Sequence, residues 1–353
     1  MTHINGDTAK APKPRAGERS ATVAPASGAQ RLSLGRLTRS GTFPLLVSSF
    51  LVVILFIIGA QLLQGFASLA SVDALLILSS FLGITAIGET IAILLGGIDL
   101  AIPFVMGMSN VLAAQLTQDG VPFALSAVTA LAAGTVVGCF NGYISRRLRV
   151  HPLIVTLGVG YAVQAAVEIW TGGAPSGNSP NWLIKVTSTG TKIGGIQLAP
   201  VVLLWLLVAV VVIIMLRRSS LGRRIYAVGS NPVAAELALV SPVRIWTAGF
   251  GISGFCAALA GILMLGFTGG TLATVGDPYL FLAVGAVVVG GTSLVGGRGS
   301  YLGTVIGAIL ITVLETVMVG VGASEAVQEL LIGIVIIAAV SLFGREPHVR
   351  DRV

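Results

Sequence analysis

From Phe43 to Phe343 the chain alternates between apolar blocks and short polar intervals. Ten blocks recur, with expected bounds 43–63, 74–95, 102–117, 123–144, 152–170, 197–216, 245–267, 278–291, 301–320 and 326–343. Most hold about 18 residues or more, enough for a helix to cross roughly 30 Å of hydrocarbon. Apolar and polar residues do not alternate within them, so a barrel is excluded, and backbone satisfaction in lipid then requires helices. The pattern predicts an all-α, polytopic membrane protein with about ten transmembrane helices, some of them broken or re-entrant.

Two intervals depart from simple connections. After the second block comes Gly96-Gly97-Ile98-Asp99-Leu100, with Pro103 close behind. Two glycines, an acid and a proline predict a broken helix, tolerated at membrane depth only where it is buried in protein or lines a cavity. The longest polar interval, 217–244, carries Arg217, Arg218, Arg223, Arg224 and Arg244. Within it Asn231-Pro232 reads as a helix start, since Asn accepts from free N–H groups and Pro suits the first helical position. The short helix that follows presents Ala234, Ala235, Ala238 and Leu239 on one face. It is read either as part of a charge cluster that sets topology or as a docking surface for a partner.

Residues 1–42 are polar and rich in Ala, Pro, Ser and Gly, and are expected to be a disordered cytoplasmic extension. Residues 43–343 form the membrane domain, and 344–353 a cytoplasmic tail. Ten crossings from a cytoplasmic N-terminus put 19 of the 21 Lys and Arg on the cytoplasmic side, leaving Lys185 and Lys192 outside. The composition agrees, with 55% hydrophobic and 10% charged residues. The net charge of +7 therefore points to cytoplasmic loops beside a bilayer and not to nucleic acid.

Chemistry-bearing residues are few. Cys139 and Cys256 lie inside apolar blocks without disulfide or metal spacing, and His3, His151 and His348 are scattered. No catalytic constellation and no metal set is visible. Gly249-Phe-Gly251-Ile-Ser-Gly254 fits G-x-G-x-x-G but sits in an apolar block, so helix packing is the expected role. No phosphate-binding G-x-x-x-x-G-K-[ST] occurs, so this chain binds no ATP by such a loop. Gly134, Gly138 and Gly142, four residues apart, should admit a close neighbour helix. Acids in or beside apolar blocks are Glu89, Asp99, Glu168 and Glu315. Each is costly at mid-membrane and is expected to face protein or water. Glu89, Gly96, Gly97, Asp99, Asn110 and Asn141 are the candidate pathway residues. Finally, 92–100 echoes 286–294, with four of nine positions identical, a hint of internal repetition.

The stretches GETIAILLGGIDLAI, NGYISRRLRVHPLIVTLG, GRRIYAVGSNPVAAELALVSP and VVVGGTSLVGGRGSYLGTVIGAI resemble permease subunits of bacterial ABC importers of the ribose/xylose class, more distantly related to branched-chain amino acid permeases. The resemblance covers residues 43–343. It implies a sugar permease of the bacterial inner membrane with both termini cytoplasmic. It also implies a second permease chain, identical or related, a separate ATP-binding subunit that holds the only cofactor, and a periplasmic solute-binding protein. Gly229, Asn231, Pro232, Ala235 and Glu236 match the coupling helix that seats on the ATPase. Two departures make the pathway less polar: Ala101 stands where the family often has Ser, and Leu280 and Leu282 stand where many relatives carry acids. Both speak against ribose itself and leave another pentose, a polyol or a nucleoside-like solute open. The competing readings are a proton-coupled secondary transporter using Glu89 or Asp99, and a passive channel.

Overall fold

Helix-favouring apolar blocks become helices at nearly the expected bounds. The computed structural model describes residues 43–193 and 196–343; the expected extension (1–42) and tail (344–353) lie outside the described residues. Ten helices occupy the ten apolar blocks: α1 (Phe43–Leu62), α2 (Leu69–Leu94), α3 (Ile102–Gln118), α4 (Phe123–Arg147), α5 (Pro152–Thr171), α7 (Pro200–Arg218), α10 (Pro242–Thr268), α11 (Tyr279–Val289), α12 (Tyr301–Gly320) and α13 (Glu325–Phe343). Three short helices lie in polar intervals: α6 (Asn181–Thr187), α8 (Ser220–Ser230) and α9 (Pro232–Leu237). The only paired strands among the described residues are β1 (Lys192–Ile193) and β2 (Ile196–Gln197), antiparallel, with Lys192 opposite Gln197.

Among the described residues seven helices are long and apolar enough to cross a membrane: α1, α2, α4, α5, α7, α10 and α12. Helix α3 has 17 residues, α11 only 11 and α13 19. Length and composition together thus support seven of the ten expected crossings. Helix α2 starts earlier than its apolar run. Ser68 accepts the Ser71 amide at 3.3 Å, and Asp73 is buried, accepting the amides of Gly190 (3.2 Å) and Ala199 (2.9 Å). A satisfied carboxylate inside the helix made the boundary unreadable from hydropathy.

Helices α10 and α2 form the centre, with 78% and 67% of their crossing windows buried, against 11% for α1. Helix α4 packs on α10 through Gly134, Gly138 and Gly142. A methyl group built on each would overlap or crowd the backbone of Gly254, Phe250 and Trp246 in turn. Gly251 faces Cys139, and Gly254 faces Gly134. The G-x-G-x-x-G segment is therefore a packing surface, and close backbone approach is what its small residues provide.

Helix α11 spans about 16 Å at 1.5 Å per residue, roughly half of the hydrocarbon core. The segment 269–278 before it is not helical; Val275 and Gly276 are buried, while Leu272, Thr274, Asp277 and Pro278 are exposed. Gly276 abuts Pro103, Ala273 abuts Gly107, and the Leu272 amide donates to Asn110 at 2.8 Å. Backbone of this kind is tolerated at membrane depth where protein covers it or it lines a cavity, and here it does both in part.

Candidate functional site

The Gly-Gly break builds the first part of the site. Helix α2 ends at Leu94, and Gly96 takes the left-handed conformation (φ 86°). The Gly97 amide then closes the turn on the Ala92 carbonyl at 2.9 Å. This turn folds Asp99 back towards α2, where its amide donates to Glu89 Oε2 at 3.3 Å. The Asp99 carboxylate accepts from Ser253 Oγ of α10 (2.7 Å) and from its own helix start, the Ala101 amide (3.1 Å). The Leu100 amide donates to Thr156 of α5 at 3.1 Å. Both acids are buried, and Glu89 Oε1 has no partner. The neighbours that act on the two carboxyls are each other, Ser253 and the Ala101 amide. Hydrogen bonds hold four elements at one point: α2, the break, α5 and α10.

Asn110 does not join this cluster. Its amide donates to the Gly261 carbonyl (3.1 Å), and its oxygen accepts from Leu272 N (2.8 Å) and Thr271 Oγ1 (3.3 Å). It is a bracket that holds the non-helical segment 269–278 against α3 and α10. Asn141 sits on the glycine face of α4, buried, with neither side-chain atom bonded. Ser145 Oγ, one turn on, and Trp246 Nε1, on the facing stretch of α10, are also buried without partners. Each such group costs about 1–3 kcal/mol if left unpaired, so this face is polar but unsatisfied.

The second part lies at the same end of the bundle as Gly96. Ser219 breaks the chain after α7 and caps α8 by accepting the Gly222 amide at 3.0 Å. Helix α8 turns Ile225 and Val228 inward and leaves Arg223 and Arg224 exposed. Tyr226 donates to the Gly299 carbonyl at 2.9 Å. Burial raises its phenol above the ordinary value, against the opposing charge of Arg217, so it remains a donor near neutral pH. Asn231 Oδ1 accepts both the Val233 and Ala234 amides at 3.0 Å, and Pro232 opens α9. The cap is as expected, but α9 is shorter than the apolar run and ends as Leu239 adopts φ 61°.

One expectation about this helix is corrected. Ala235 does not face outward; it is buried against the bundle. Of the four residues read onto the docking face, Ala234, Ala238 and Leu239 are exposed and only Ala235 turns inward. Val233, Leu237 and Leu239 are the large outward side chains, exposed by 67%, 84% and 96%, with Glu236 beside them.

Gly229 ties the two parts together. It presses on the Leu94 carbonyl so closely that a methyl group there would overlap it. That carbonyl also accepts the Gly297 amide at 2.8 Å. The internal echo takes physical form here: both segments are helix C-terminal turns. Thr292 N bonds Val287 O at 3.2 Å as Gly97 N bonds Ala92 O, and Gly291 is left-handed (φ 85°) as Gly96 is. The geometric equivalence pairs Gly96 with Gly291, one residue away from the sequence alignment.

At the opposite end, a cavity of about 390 Å³ lies between α2, α10, α11, α12 and the segment 269–278. Glu315 and Leu282 border it, whereas Leu280 does not. Sequence reasoning treated 269–278 as an ordinary connection. Its signal was available: Gly269-Gly270 followed by Asp277-Pro278 repeats the composition of the first break. The Glu168 carboxyl accepts from Gln164 at 3.0 Å near the end of α5, away from the Glu89–Asp99 cluster.

Comparison with known proteins shows the family of the chain. Residues 71–340 match the family described as branched-chain amino acid transport system / permease component. The chain is similar to the fructose import permease protein FrcC of Rhizobium meliloti, 33% identical over 304 residues, covering 85% of this chain and 84% of that protein. It is similar to the ribose import permease protein RbsC of Haemophilus influenzae, 32% identical over 305 residues, covering 85% and 93%. The RbsC of Bacillus subtilis is 32% identical over 262 residues, covering 74% and 80%. No solved structure matches the chain.

Proposed function

The chain belongs to the family of branched-chain amino acid transport system permease components, and from that premise we propose that it is the membrane-spanning subunit of an ATP-driven importer moving a sugar or similar small polar solute inward. The observation that carries the reading is the junction at Gly229. It joins the exposed α9 surface, where an ATPase would seat, to the Gly96–Asp99 break, where the pathway would be gated. In this reading Val233, Glu236, Leu237 and Leu239 contact the ATPase, while Asn231 and Pro232 set the helix and Ala235 anchors it. Glu89, Gly96, Gly97, Asp99 and Asn141 line or move with the gate, and Asn110 braces the outer half.

The wider assembly follows from the same premise. Ten crossings of a bacterial inner membrane would put both termini and the 217–244 loop in the cytoplasm, with α3 and α11 as the short crossings. A second permease chain completes the channel, a binding protein delivers the solute, and ATP binds only to the separate subunit. The names of the relatives point to ribose and fructose as the first solutes to try. Those relatives also weigh against the proton-coupled alternative. The test is co-purification: a partner ATPase should be retained by the unmutated chain and lost with Leu237→Arg. Retention by both would remove α9 from the docking surface.

A further inference from the structure

The 390 Å³ cavity plays no part in the docking geometry, and its walls differ sharply in chemistry. Along α12, Thr312, Glu315 and Thr316 share one face and border it. The facing wall includes Leu82 and Leu282, with Tyr279 beside them. Thr316 donates to the Thr312 carbonyl at 2.8 Å, which leaves its oxygen able to accept. The half-buried Glu315 makes no hydrogen bond or ion pair with a described residue. Tyr279 has only a weak acceptor, Met264 Sδ at 3.7 Å. No Lys, Arg or His borders the space.

The volume falls within the range of small-molecule sites, roughly 300–1,000 Å³. An anion would meet Glu315 with no cation to offset it, and a wholly apolar guest would leave that carboxylate unpaired. A polyhydroxylated ring satisfies both walls: its hydroxyls face acceptors along α12, and its C–H face covers the leucines. Leu82 precedes Glu89 by seven residues on α2, about 10 Å at 1.5 Å per residue. The cavity therefore lies on the far side of the Glu89–Asp99 cluster from α9.

We propose that this cavity is a solute-binding site within a single chain, taking a neutral polyhydroxylated molecule whose hydroxyls donate to Glu315 and exchange hydrogen bonds with Thr312. The site rests on the importer reading and gives it a solute class and a station before the gate.

The test uses the importer assembled with its ATPase and binding protein in proteoliposomes. Thr316→Cys is introduced after Cys139→Ser and Cys256→Ala remove the native thiols, and N-ethylmaleimide labelling is timed against a panel of pentoses, hexoses and linear polyols. At least one of these should slow labelling about tenfold, and Glu315→Leu should abolish that protection, a loss of roughly 1.4 kcal/mol in binding. Glu315→Gln, which keeps the shape, should retain part of it. Protection by none of the panel, while the unmutated complex still performs ATP-driven uptake, overturns this site and leaves the importer reading standing. An introduced thiol already unreactive before any sugar is added also overturns it, because protein or lipid then fills the cavity. Absence of ATP-driven uptake by the unmutated complex would instead count against the importer reading.

Discussion

The carbonyl oxygen of Leu94 accepts the amide of Gly297 at 2.8 Å, and Gly229 is pressed against the same oxygen. Three segments far apart in sequence thereby meet at the end of α2: the broken helix, the glycine-rich turn before α12 and the approach to α9. Gly229, near the end of α8, touches the end of α2 with no side chain between them.

Gly229→Ala tests that contact. The added methyl overlaps backbone, which cannot swing aside as a flexible side chain would. The expected outcome is loss of solute uptake with a melting temperature lowered by an overpacking cost of about 1–3 kcal/mol. Gly158→Ala is the control, since nothing lies within 4 Å of the added carbon and alanine is the better helix former. Equal uptake in both variants would show that the contact transmits nothing.

The acidic cluster gives a second expectation. Asp99→Ala removes the acceptor of Ser253 and of the Ala101 amide and should cost about 1–3 kcal/mol of stability. Uptake should fall much further than expression, with the ATPase still bound. Ser253→Ala should show a milder version of the same loss. Uptake at the unmutated rate in Asp99→Ala, measured at equal amounts of membrane protein, would take the cluster out of the pathway.

Docking makes a third. Leu237→Arg and Leu239→Asp alter exposed positions, so melting temperature should stay within about 0.5 kcal/mol of the parent, as surface changes do. The ATPase should nevertheless be lost on purification. Ala235→Arg should behave differently: it buries a charge against the bundle and should lower thermal stability as well as docking. If Ala235→Arg matched Leu237→Arg in both assays, the inward orientation of Ala235 would be wrong.

The architecture was largely legible because hydropathy governs where a chain can lie in lipid. The Gly96–Asp99 break, the α4 glycine face and the Asn231-Pro232 cap could all be read from composition and spacing. What could not be read depended on tertiary partners. Asp73 looked like an interval residue until two distant amides satisfied it. Asn110 could be picked out by its polarity, but its bonds to Thr271 and Leu272 could not. Ala235 looked outward because six residues carry no usable periodicity. The helical stretch α8 was hidden in a run of arginines, although its inward Ile225 and Val228 follow a helical spacing.

Topology supplies a fourth expectation. Thr189 and Ser220 are both exposed but should lie on opposite sides of the membrane. In intact cells an impermeant thiol reagent should label Thr189→Cys from outside and leave Ser220→Cys unlabelled until the membrane is opened. Labelling of both without opening would contradict the cytoplasmic placement of the 217–244 loop.

The most direct measurement of the central claim is uptake of labelled ribose and fructose by proteoliposomes containing this chain. The comparison is between vesicles with the ATPase, the binding protein and internal ATP, and vesicles with the chain alone under an imposed proton gradient. The account predicts concentrative uptake of a sugar only in the first, abolished by Leu237→Arg. Concentrative uptake in the second, without ATP or ATPase, would contradict it and make the chain a proton-coupled transporter.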